Sequence, residues 1–82
     1  MDFGQSNTYE TYDFLEVCYL IAKDVKIVSA NRDSQMDKVR FEFNDRKTCE
    51  KMVKDLTLGN DDVSAGRFME AIRKARKVIH TT

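Results

Sequence analysis

His80 is the only histidine in the chain, and it stands two residues from the end. A catalytic base needs a fixed partner and a nucleophile within hydrogen-bond reach, and a chain end fixes neither. Cys18 and Cys49 are the only cysteines. They form no CxxC pair, and with His80 they match no zinc-ligand spacing. Both lie among apolar neighbours at helical positions, the pattern of reduced core thiols in a cytoplasmic protein. The stretch from Asn31 to Asp37 alternates oxygen-bearing side chains, and Glu42 falls at the twelfth position. A calcium loop, however, wants glycine where Met36 stands and acids where Asn31 and Gln35 stand. A hairpin turn accounts for the same residues.

Asp61 and Asp62 precede a helix, where acids suit the positive end of the helix dipole. Nothing in the pattern offers the apolar cleft that a catalytic carboxylate pair needs. Ser64-Ala65-Gly66-Arg67 opens that helix with free N–H groups, but the two acids oppose an anion there. The residues with most functional promise are Arg67, Arg73, Lys74, Arg76 and Lys77. On one helix they form a cationic surface that could meet phosphates or an acidic protein. Lys26, Lys38 and Arg40 make a second candidate basic face on the sheet. That face lacks the aromatic platform on which sheet-based RNA readers stack bases. No catalytic residue, metal site, cofactor or small-molecule substrate is expected.

These side chains need elements to hold them. The chain has 82 residues, 41% hydrophobic and 34% charged, with zero formal net charge. A chain of this size forms one domain and buries roughly 60–65% of its unfolded surface. Zero net charge weighs against a dedicated non-specific nucleic-acid binder. The distribution is polar, though. Residues 1–24 carry five acids and one lysine, and residues 64–82 carry five basic side chains and one acid.

Residues 1–8 read as a flexible N-terminus, 9–80 as a single α+β domain and 81–82 as a tail. Tyr9-Glu10-Thr11-Tyr12 is a candidate edge strand. Asp13 and Glu16 have capping-box spacing ahead of an apolar helix, Phe14 to Lys23. A helix apolar nearly all round belongs at the centre of a fold. Val25 to Asn31 and Lys38 to Asn44 read as a hairpin, with Val39, Phe41 and Phe43 on its buried side. Asn44 or Asp45 caps a second helix with the stripe Cys49, Met52, Val53 and Leu56, which Gly59 stops. Ser64 caps the third, and Val63 with Phe68 has the spacing of a hydrophobic staple. Its expected buried face is Ala65, Phe68, Met69, Ile72, Ala75 and Ile79. The fold class is α+β: a short antiparallel hairpin sheet packed against three helices, in the order α-β-β-α-α, with the edge strand as an addition in front.

The run TYDFLEVCYLIAKDVKIVSANRD, then KVRFEFND and the closing RFMEAIRKARKVI resembles a small domain family of unknown function found in bacterial, archaeal and phage genomes. The Arg67, Phe68, Ala71, Ile72 pattern carries part of the likeness. Asp24 departs from it, since members tend to have glycine after the first helix. The resemblance implies a cytoplasmic setting in a prokaryote or phage-infected host, and brings no catalytic residues. The functional expectation is a non-enzymatic interaction module that docks on a protein or on itself. The alternative is a small nucleic-acid-binding protein that uses the third helix. The longest apolar run, Val17 to Ala22, is too short for a membrane span.

Overall fold

The computed structural model describes residues 7–82. Six elements follow in order: β1 (Thr8–Thr11), α1 (Phe14–Ala22), β2 (Ile27–Asp33), β3 (Lys38–Asn44), α2 (Arg46–Thr57) and α3 (Ala65–Thr81). The leading strand is therefore real, and the order is β-α-β-β-α-α. The flexible stretch expected over 1–8 lies outside the described residues for positions 1–6. Thr8 already belongs to β1, and the carbonyl of Asn7 accepts from the Arg46 N–H at 3.0 Å.

The three strands form one antiparallel sheet in the order β1-β3-β2. β3 is central because it alternates cleanly, with Val39, Phe41 and Phe43 buried and Lys38 and Asn44 exposed. Its apolar side faces the helices, together with Tyr9 and Thr11 from β1 and Ile27 and Ala30 from β2. The other side of the sheet carries polar residues.

Asp13 caps α1 by accepting from the N–H groups of Leu15 and Glu16. The expected capping box is only half formed. Glu16 does not return to the Asp13 N–H, which donates instead to Thr11 Oγ1 at 3.0 Å. The Glu16 carboxylate takes hydroxyls from Tyr9 (2.7 Å) and Thr11 (3.0 Å) and so ties β1 to α1. Six consecutive residues, Val17 to Ala22, are buried. They fill the space between the sheet and the flanking helices, and α1 contacts both α2 and α3. α1 ends at Ala22, with Lys23 as its C-cap.

Asp45, not Asn44, caps α2 and adopts a left-handed φ of 63°. Cys49 is buried on the expected stripe, while Met52, Val53 and Leu56 are half-buried against the core. Gly59 supplies the left-handed stop at φ 76°. The buried face of α3 is rotated from the expected one. Ala71 and Ala75 are buried at the α1 contact, whereas Ala65 is exposed and Met69 is 53% exposed. Small side chains let two helices approach closely, so the closest contact selects alanines and turns Met69 outward. Phe68, Ile72, Val78 and Ile79 pack half-buried around that contact.

Candidate functional site

Of the expected basic residues on α3, two are already engaged. Arg67 pairs with Asp24 at 2.8 Å, and Arg73 pairs with Glu70 one turn back at 3.0 Å. The Asp24 pair joins the acidic N-terminal third to the basic third helix within one chain. Lys74, Arg76 and Lys77 are exposed. At about 100° per residue, Lys74 and Lys77 share one flank of α3. Arg73 and Arg76 continue the same arc, with Arg73 only about 40° from Lys77. The helix therefore presents cations around its outer half and does not gather them on one ridge.

Lys38 and Arg40 stand on the open face of the sheet, opposite Asp33 and Asn31 of β2. Glu42 follows on the same face and is directly opposite Glu10. Lys26 precedes β2, and its carbonyl accepts from the Asn44 N–H at 3.1 Å. This second candidate face is thus of mixed sign. Two of its acids, Glu42 and Asp33, are already held by hydroxyls. Ser29 donates to Glu42, and that bond, with Arg40 nearby, keeps the carboxyl below its usual range. Tyr12 donates to Asp33 at 3.0 Å, which lowers the Asp33 carboxyl and raises the phenol. The Nε of Arg40 is buried with no hydrogen-bond partner among the described residues.

All three tyrosines end on a carboxylate. Tyr19 is 1% exposed and donates to Asp61 at 2.5 Å, and Lys23 meets the same carboxylate at 3.0 Å. The Tyr19 hydroxyl, then Lys23, holds Asp61 below the usual carboxylate range. Burial raises the Tyr19 and Tyr9 phenols well above their usual range, and the bonded carboxylates add to it. Asp61 therefore anchors the α2–α3 connection to α1, a role that helix-dipole reasoning does not supply. No sequence signal ties Tyr19 to a residue 42 positions later.

Cys18 and Cys49 are free and buried, and burial pushes both thiols up. Among the described residues no three His, Cys, Asp or Glu side chains could hold a metal ion. No helix among them is long and apolar enough to cross a membrane. The Asn31–Asp37 stretch divides between β2 and a four-residue turn. Asp33 Oδ1 accepts there from the Gln35 and Met36 N–H groups.

No family model, curated protein or solved structure matches the chain.

One surface was not legible in the sequence. β2 is an edge strand of seven residues, and no backbone bond among the described residues engages its outer side. A bulge between Ile27 and Ser29 leaves Val28 56% exposed. The straight part of the edge is Ser29–Asp33. Arg32 lies there, exposed and loosely tied. It reaches the Ile79 carbonyl at 3.4 Å and Asp37 at 3.9 Å. The sequence marks the leading strand as a candidate edge, but carries no signal that β2 forms the other edge.

Proposed function

We propose that this chain is a non-enzymatic protein-interaction module that docks a partner by extending its sheet at β2. The observation that carries the reading is the free edge Ser29–Asp33. An edge strand presents a row of unpaired N–H and C=O groups and is a template for another strand. A domain with so small a core gains stability from any ligand that binds only its folded state.

The charge pattern supports a protein over a nucleic acid. Two of the five α3 cations are paired, the rest are spread over an arc of about 160°, and the open sheet face interleaves acids with bases. The setting proposed with it is the cytoplasm of a prokaryote or phage-infected cell, as the family resemblance implies.

The test is an array of extended peptides probed with the full chain, with binders mapped by amide NMR. Binders should shift the Ser29–Asp33 amides, while labelled DNA and RNA stay at background even at low salt. Salt-dependent nucleic-acid binding that is lost in an Arg73→Ala, Arg76→Ala double variant, with no peptide at β2, would overturn the reading in favour of the basic helix.

A further inference from the structure

We infer that the β2 edge receives an extended acidic segment of a partner protein, one of whose carboxylates pairs with Arg32. This rests on the docking reading above and specifies its partner.

The residue that selects the partner is Arg32. It pairs with Val39 in the sheet register, so its Cα belongs to the helix side of β2. A charged residue turned toward the core side of an edge strand is a device against indiscriminate strand pairing. Here the charge is barely compensated. The Ile79 contact is longer than a normal N–H···O bond, and Asp37 is 97% exposed at 3.9 Å. The guanidinium fork is thus free to take a carboxylate through two parallel bonds. A partner strand paired with Ser29–Asp33 would place its own side chain beside Arg32 on that side of the sheet.

The immediate surroundings of Arg32 are of mixed sign: Asp13, Asp33 and Asp37 stand around it with Lys38 and Arg40. The C-terminal end of α3 reaches the turn end of β2 through the Arg32–Ile79 contact. α3 has a formal charge of +4, from five Lys or Arg and one Glu, counting its only histidine as neutral. On the helical wheel Arg76 falls on the side of the buried stripe nearest Ile72 and Ile79.

A second copy of the chain fits less well. Self-pairing about Ala30 sets Arg32 opposite Val28 of the other copy. Self-pairing about Asn31 sets it opposite Ala30. Both leave Arg32 uncompensated on each side. The bulge at Val28 shortens the common edge further.

The test uses the full chain and three synthetic peptides of about eight residues. They alternate Val with Glu, Val with Thr, and Val with Lys. Amide NMR and hydrogen exchange map each complex. The Glu peptide should protect Ser29–Asp33, and the Lys peptide should not bind. Arg32→Gln should weaken the Glu peptide about tenfold without moving the melting temperature. Methylating the alternate backbone nitrogens of the Glu peptide that face β2 should abolish binding, with the protein untouched.

If the Thr peptide binds β2 as tightly as the Glu peptide, the acidic specificity is overturned and edge docking stands. Binding that survives N-methylation or maps to α3 overturns strand addition. If no peptide perturbs β2, both readings fall. Protection of β2 on concentrating the chain alone assigns the edge to a second copy. An oligonucleotide that shifts the same amides assigns it to nucleic acid. Each of these two results overturns the inference.

Discussion

The two edges of the sheet are built oppositely. β1 has four residues, and it is tied down at each level. Tyr9 and Thr11 donate to Glu16 of α1, Thr8 donates to Glu42 at 3.4 Å, and α2 packs against it. β2 has seven residues, a bulge, an exposed Val28 and one loosely held arginine. Neither edge strand contains proline, so that blocking device distinguishes neither. What differs is the strength of the side-chain ties to a neighbouring helix: Tyr9 and Thr11 hold Glu16 of α1 at 2.7 and 3.0 Å, whereas Arg32 reaches the Ile79 carbonyl of α3 at 3.4 Å. No backbone bond among the described residues engages the outer side of either edge, so β1 differs from β2 in its shorter length and firmer side-chain anchoring.

The sharpest way to break this comparison is through the shared strand. Phe43 is fully buried, pairs with Tyr9 of β1 and Ile27 of β2, and stacks with Phe41 at 6.3 Å. Phe43→Ala should cost about 3–5 kcal/mol, enough to endanger a domain of this size. Urea unfolding with an unchanged midpoint would contradict the packing described here. Phe68 is only half-buried, so Phe68→Ala should cost less than Phe43→Ala.

A smaller effect is expected from the tyrosine ties. Tyr9→Phe and Tyr19→Phe each remove one hydroxyl from a carboxylate that keeps a second partner. Each should cost about 1–2 kcal/mol. The Tyr9 change should also speed amide exchange in β1 while leaving β2 as it was. If both edges respond equally, the closure of β1 does not depend on Glu16.

These ties set the pH dependence. Asp61, Asp33 and Glu42 have folded pKa values below their ordinary ones. The unfolded chain therefore binds more protons as the medium becomes acidic. Their stabilisation is full above the ordinary carboxylate range and is lost as pH falls below about 4. Tyr9 and Tyr19 are raised, so their contribution is full below pH about 10 and is lost above it. Calorimetry across pH should show both limbs. Asp61→Asn should flatten the acid limb, and an unchanged acid limb would remove Asp61 from this account.

The smallest effect belongs to the open edge. Val28→Thr should change stability by no more than about 0.5 kcal/mol, because the side chain is exposed at a bulge. In the free protein the outward amides of β2 should exchange well before those of Phe41 and Phe43. Slow exchange along the whole of β2 would show that this edge is covered after all. Cys18 and Cys49 should label with thiol reagents only as the chain unfolds.

Much of the fold was legible because local patterns dictated it. The alternation of Lys38 to Asn44, the caps at Asp13 and Ser64, and the stop at Gly59 are all set by neighbours within a few residues. The resemblance placed glycine where Asp24 stands, and Asp24 takes a left-handed φ of 66°, a region that aspartate tolerates better than most residues. Its carboxylate holds Arg67, which a glycine would lose.

The sequence by itself determined the elements, the central place of α1 and the polarity of charge along the chain, since period and composition are local quantities. How that charge is paired, and which edge remains open among the described residues, follow from the packing of the elements. The pairing of Asp24 with Arg67, of Tyr19 with Asp61 and of Tyr12 with Asp33 brings together residues 21 to 43 positions apart. The turn of α3 onto Ala71 and Ala75 follows from the closest approach of two helices. Long-range contacts of this kind depend on where every element lies at once, and no spacing in a single strand or helix records them.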